Sequence, residues 1–253
     1  MKRALVVMDL SSVGRCALSV AVPVLSCMGV QACALPTMLL SAHTGGFGQV
    51  AKLDTSAFMR DAMAHWKAQQ LTFDAIYIGY LGNAGQIELC AQLMDQSPDA
   101  FVLLDPVMAD HGKLYAGIEQ SRPQALRQLI QRADLIVPNQ TEAQLLADGE
   151  SPEALLALGT KAALVTGAGD RNLYLDQAGA SFEVPFERVP QGYPGTGDLF
   201  ASVLLGALMC GQPIKEATTL ATDFVQRATQ FSYDGALPVR EGVRFEPLLH
   251  LLH

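Results

Sequence analysis

The chain predicts an α/β fold, a three-layer sandwich in which helices cover both faces of one mostly parallel sheet. Three observations carry this. Six apolar runs of strand length recur along the 253 residues. Segments with helical spacing separate them. The runs are continuously hydrophobic rather than alternating, which is the pattern of strands buried on both faces.

Taken in order, the runs are ALVVM (4–8), QACALPTMLL (31–40), AIYIG (75–79), AFVLLD (100–105), DLIVPN (134–139) and AALVTG (162–167). Helical spacing marks 55–69, 85–96, 124–132 and 141–147, and from Ser11 the chain is expected to run directly into a helix. The segment RNLYLDQAGASFEVPFERV (171–189) differs. Its two alternating runs flank Gln177-Ala178-Gly179-Ala180, the pattern of an antiparallel hairpin at a sheet edge. Only helices are expected beyond it, through to Leu252. No repeat, low-complexity tract or Pro/Gly/Ser-rich linker divides the chain, so residues 1–253 are expected to form a single domain.

Composition narrows the function. Half of the residues are hydrophobic and 17% are charged, enough apolar surface for a large core without metal or disulfide staples. The formal net charge of −8 comes with no basic stripe, which argues against nucleic acid as a partner. Cys16, Cys27, Cys33, Cys90 and Cys210 form no CxxC pair and read as small core residues of a reducing, cytoplasmic compartment. MKRALVVMDL reads as a strand rather than a signal peptide, because Asp9 interrupts the apolar run. The apolar run at 199–210 is too short to cross a bilayer, which takes about 20 residues, so no membrane partner is expected.

Polar residues gather where the strands end. Ser11 and Ser12 follow the first run, Ser41, His43 and Thr44 the second, and Tyr80 and Asn83 the third; Asp105 closes the fourth. Asn139 follows the fifth, with Glu142 three residues on, and Thr166 and Gly167 end the sixth. In a parallel sheet these ends share one edge, where open α/β sheets bind ligands. Each residue taken alone also suits a helix N-cap.

The stretch PGTGD (194–198) runs into LFASVLLGALMC (199–210), which has no polar face and predicts a buried helix. A glycine turn at the start of such a helix offers free N–H donors and partial positive charge, a setting for phosphate. Asp198 is then either a helix N-terminal acid or a base that takes a proton from a hydroxyl attacking a γ-phosphorus. GALMCGQP (206–213) has the glycine spacing of a Walker loop but carries Gln212 and Pro213 in place of its Lys-Ser/Thr. No GxGxxG follows the first strand and no GxSxG occurs, which disfavours dinucleotide folds and α/β-hydrolases.

The stretch PGTGDLF resembles the signature of the ribokinase-like (PfkB-type) small-molecule kinases. SAHTGG (41–46), GYLGN (79–83), DPVMAD (105–110) and PNQTEAQLL (138–146) resemble, in order, the SNHTGY, GYLG, DPVMGD and PNxxE segments of its vitamin-kinase branch. That branch holds pyridoxal/pyridoxamine kinases and hydroxymethylpyrimidine kinases. The resemblance spans about residues 5–230. It implies a ribokinase-like kinase that transfers the γ-phosphoryl of ATP to the hydroxymethyl group of pyridoxal, pyridoxamine or pyridoxine. It further implies Asp198 as the catalytic base and Gly195, Thr196 and Gly197 as the anion hole. Asp105 and Glu142 would hold Mg²⁺, directly or through water. Asn139, Thr166 and Gly167 would lie at the ATP phosphates, and Ser11, Thr44 and Tyr80 around the substrate ring. His43 is either a ring contact or a structural histidine. The resemblance allows a homodimer.

The sequence departs from the pattern in two places. Gly46, followed by Phe47, stands where HTGY has tyrosine, and no histidine follows Ser11, so Ser11 and Ser12 both remain candidates for the ring contact. The ADHGKLYAG loop (109–117) reads either as an exposed polar loop or, as the resemblance implies, as a lid that folds over ATP with Lys113 as its cation. The rivals are a hydroxymethylpyrimidine (phosphate) kinase, for which Arg15 is the available pocket cation, a sugar or nucleoside kinase, and a non-catalytic B6-binding protein on the same fold.

Overall fold

Strand β1 (Arg3–Ser11) organises the molecule, because both of its faces are buried. Ala4, Val6 and Met8 point into one apolar cluster and Leu5 and Val7 into the other, the two-residue period of a strand dividing one run between two cores. This computed structural model describes residues 1–252. After β1 come α1 (Leu18–Cys27), β2 (Gln31–Leu40), β3 (Lys52–Asp54), α2 (Ser56–Ala68), β4 (Ala75–Ile78), α3 (Ala84–Gln96) and β5 (Phe101–Leu104). The chain continues through β6 (Ala109–Asp110), β7 (Lys113–Leu114), α4 (Arg122–Ile130), β8 (Leu135–Ile136), α5 (Gln140–Leu146) and β9 (Ala162–Val165). It ends with β10 (Arg171–Asp176), β11 (Ser181–Pro185), α6 (Thr196–Met209) and α7 (Ile214–Asp234), followed by short 3₁₀ turns.

Nine strands form one sheet in the order β11-β10-β9-β8-β5-β4-β1-β2-β3. The six inner strands pair in parallel, while β3 and the β10–β11 hairpin add antiparallel edges. Helices α1, α6 and α7 cover one face and α2, α3, α4 and α5 the other. Buried residues fill α6 from Leu199 to Ala207, as its unbroken apolar sequence requires.

Three local features differ from expectation. The chain does not enter a helix directly after Ser11: residues 12–17 form a loop that lies against the PGTGD turn, and α1 starts only at Leu18. Strand β3 was not expected. The ADHGKLYAG segment is a two-stranded ribbon, β6–β7, whose turn uses the left-handed region at His111 (φ 50°) and Gly112 (φ 76°).

Candidate active site

The carboxyl ends of the parallel strands and the start of α6 meet on one edge. Gly195 lies in the left-handed region (φ 85°), and a Cβ there would sit 1.9 Å from the Arg15 carbonyl oxygen, so both conformation and space demand glycine. The 12–17 loop is thereby pressed onto the turn. Arg15 is held in turn by Glu246 at 2.6 Å and by the Glu241 carbonyl at 3.1 Å. Leu199 N–H closes the first helical bond to Gly195 O, at 2.9 Å. The N–H groups of Thr196, Gly197 and Asp198 precede that bond and stay available to an anion. Asp198 accepts the Ala17 N–H at 2.8 Å. Burial pushes its pKa up to about 7; the Ala17 hydrogen bond opposes the rise and the nearby Asp9 charge adds to it.

Asp105 continues β5 and is 6% exposed, with no hydrogen-bond donor to its carboxylate among the described residues. Burial raises its pKa well above the carboxylate range, and the charges of Glu142 and Asp198 raise it further. Glu142 is differently placed. It forms a capping box with Asn139 at the start of α5. Its Oε1 also accepts the N–H groups of Met108 (2.9 Å) and Ala109 (3.3 Å), and its Oε2 that of Asn139 (3.0 Å). Asn139 Nδ2 donates to Ala109 O at 2.8 Å. The pair thus latches the loop after β5 onto α5. Burial still pushes Glu142 up to about 8, against those three hydrogen bonds.

The Asp105 carboxyl feels the charges of Glu142 and Asp198, and hard carboxylate oxygens are the ligands that suit Mg²⁺. Among the described residues no group of three or more His, Cys, Asp or Glu side chains is spaced to hold a metal. Of Asp105 and Glu142, the latter is occupied by backbone donors, which leaves the Asp105 carboxylate as the one without a hydrogen-bond donor among the described residues. Thr166 sits beside Asn139 through an isolated parallel bridge. Gly167 gives its N–H to Asn172 Oδ1 at 3.1 Å, so its contribution is the turn rather than a free donor.

On the β1 side, Ser11 is fully buried and donates to Asp9 Oδ2 at 2.9 Å, while Ser12 is exposed. Thr44 is exposed at the rim and Tyr80 is half-buried, its carbonyl held by Thr37 Oγ1 at 2.8 Å. His43 uses both ring nitrogens on backbone. Gly45 N–H donates to Nδ1 at 3.1 Å, so Nε2 carries the proton and donates to Arg240 O at 2.7 Å. Gly14, at φ 92°, packs so closely on this ring that a Cβ would lie 2.2 Å from His43 Cδ2. Of the two readings of His43, the geometry favours the structural one.

The structure thus brings Asp198, Asp105, Glu142 and Asn139 together, and puts Ser11 beside Asp9. Lys113 is exposed on β7, and Arg15 is already paired, which removes it as a free pocket cation. Sequence reasoning missed two residues of this edge. Asp9 is 7% exposed and its pKa is raised by burial; a lone acid inside VVMDLSS was the available signal. Arg122 is 6% exposed at the start of α4, and a helix-start arginine gives no signal of burial.

A glycine-turn anion hole with an acid at its mouth, on a sheet of this order, defines the ribokinase-like small-molecule kinases. The phosphomethylpyrimidine kinase family model matches residues 22–242, and the chain belongs to that family. Among solved structures, pyridoxal kinase from Lactobacillus plantarum is 36% identical with a TM-score of 0.93, covering 100% of this chain and 96% of that one. A putative phosphomethylpyrimidine kinase from Bacteroides thetaiotaomicron, in a crystal form with pyridoxal, is 33% identical with a TM-score of 0.90, covering 99% and 95%. The pyridoxine/pyridoxal/pyridoxamine kinase of Bordetella avium is 29% identical over 83% of this chain and 78% of its own length.

Proposed function

We propose that the protein is a vitamin B6 kinase, transferring the γ-phosphoryl of ATP to the hydroxymethyl group of pyridoxal, pyridoxamine or pyridoxine. The observation that carries it is Asp198, an acid in the first turn of α6 behind the Gly195 turn, held by the Ala17 N–H and with burial pushing its pKa up to about 7. Asp198 accepts the substrate hydroxyl proton as the oxygen attacks in line. The Gly195–Gly197 backbone receives the charge on the transferred group. Mg²⁺, when bound, would supply charge neutralisation at the phosphates; Asp105 would hold it, directly or through water, and Glu142 would fix the loop that follows Asp105. Asn139 and Thr166 line the phosphate side; Ser11, Thr44 and Tyr80 line the ring side.

The names of the relatives support the B6 ring, and the pyridoxal-bearing Bacteroides structure supports it directly. Hydroxymethylpyrimidine is the second reading, favoured by the description of the matching family. A cytoplasmic location belongs to this reading, on the cysteine usage of the sequence, which has five cysteines and no CxxC pair. A single domain and a homodimer complete the proposal. The test is ADP release with Mg-ATP against pyridoxal, pyridoxamine, pyridoxine, hydroxymethylpyrimidine and its phosphate, ribose and adenosine, with Asp198→Asn in parallel. Turnover on B6 vitamers that the variant loses is expected. Turnover on the pyrimidines alone moves the substrate, and no turnover on any compound leaves a binding protein.

A further inference from the structure

Arg122 is a buried charge that the proposed reaction leaves unexplained. It is 6% exposed, its Nη1 is wholly enclosed without a hydrogen-bond partner, and no described residue accepts from its side chain or forms an ion pair with it. Arg15, Arg127, Arg132, Arg171 and Arg188 each pair with a carboxylate. A guanidinium does not shed its proton, so a buried one without an anion is costly unless a ligand supplies that anion. Its place is the active edge. Helix α4 leads into β8, which is parallel to β5, so α4 begins at the strands' carboxyl ends.

A second buried charge of opposite sign lies on the same edge. The register of β1 against β2 shifts between Met8 and Leu10, so that Asp9 faces two residues of β2, Thr37 and Met38, where the strand pairing is irregular. Asp9 takes one hydrogen bond from Ser11 and does not pair with Arg122. Tyr80 is close enough to feel both: the Asp9 charge raises its phenol and the Arg122 charge lowers it, within a rise dominated by burial. Two buried, opposite, mutually unpaired charges beside one half-buried tyrosine are complementary to a flat ligand carrying both signs.

We infer that Asp9 and Arg122 read a zwitterionic 3-hydroxypyridine ring, Asp9 receiving the protonated ring nitrogen and Arg122 the phenolate oxygen. This rests on the B6 reading and names what separates the two rings it allows. A 3-hydroxypyridine carries a pyridinium N–H and a phenolate on one ring. An aminopyrimidine has no oxygen anion to offer Arg122.

The test compares pyridoxine, 3-deoxypyridoxine and hydroxymethylpyrimidine as substrates for wild type, Arg122→Met, Arg122→Lys and Asp9→Asn, with folding checked by circular dichroism. Wild type is expected to favour pyridoxine over its 3-deoxy analogue by roughly 10- to 100-fold in kcat/KM, the worth of one charge-assisted hydrogen bond. Arg122→Met is expected to collapse that preference, chiefly through a raised KM for pyridoxine, and Arg122→Lys to restore part of it. Equal losses on all three substrates, or a wild type indifferent to the 3-hydroxyl, would overturn the inference while leaving the kinase reading intact. The wild-type comparison needs no variant and decides the matter if Arg122→Met fails to fold. Absence of any B6 turnover by wild type overturns the kinase reading first, and this inference with it.

Discussion

At the scale of single residues, Asp198 and Gly195 make the sharpest demands. A base with a pKa near 7 is half ionised at neutrality, so kcat/KM should rise with pH through about 7 and level off above it. Asp198→Asn should lose about 10²–10⁴ in kcat and flatten that limb while keeping the fold, as a pH–rate series on both proteins would show. Gly195→Ala adds a Cβ at 1.9 Å from a backbone oxygen, at a φ of 85°. It should cost at least about 1–3 kcal/mol from the backbone alone and displace the 12–17 loop, so urea denaturation should find it less stable than wild type. A Gly195→Ala protein of unchanged stability would mean the loop does not press on the turn. Asp198 and Gly195 were readable in advance because a glycine turn, an acid and a wholly apolar helix occur in one stretch. Arg122 was not, because its burial is set by the packing of α4 against other elements and leaves no local pattern.

At the scale of elements, α5 ties the loop after β5 to its own first turn. Its capping box satisfies its own first turn, and the same Glu142 and Asn139 hold the backbone at Met108 and Ala109. Replacing Asn139 by Ala removes an N-cap worth about 1 kcal/mol and one half of the latch. The KM for ATP should rise while the KM for the vitamer stays, a split that initial-rate kinetics with each substrate varied would reveal; equal effects on both would mean that the latch does not serve the phosphate side. The long strands and the β10–β11 hairpin were legible because their hydrophobic patterns span four or more residues. Strands β3, β6 and β7 have two or three residues and largely exposed side chains, so they carry no period to detect. They exist because neighbouring backbone offers them partners.

At the scale of the whole molecule, the site sits where two cores meet. Asp198 comes from the α1/α6/α7 layer, Glu142 from the α2–α5 layer, and Asp105 from the sheet between them. The alternation of β1 between the cores was legible in its apolar run, but the convergence of acids from separate layers was not, because it depends on strand order. Gathering those acids has a thermodynamic consequence. Asp198 and Glu142 ordinarily titrate at 3.8 and 4.5 and are raised to about 7 and about 8 in the fold, with Asp105 also raised. Groups whose pKa rises on folding stabilise the protonated fold. Their contribution is complete below about pH 4 and is lost as pH climbs through about 7–8. The ligand-free protein should therefore melt at lower temperature at pH 8 than at pH 6. Asp105→Asn should raise Tm at pH 8, by about 2–4 °C per kcal/mol relieved. On the proposed reading Mg-ATP binds the folded state at these acids, so it should recover the loss, with about 2.7 kcal/mol expected at a hundredfold excess over Kd. Because both layers contribute to the site, the calorimetric transition should move upward as one peak. A peak that splits, with only part of it responding to Mg-ATP, would show that the two layers unfold as separate units and that the site does not bind them together.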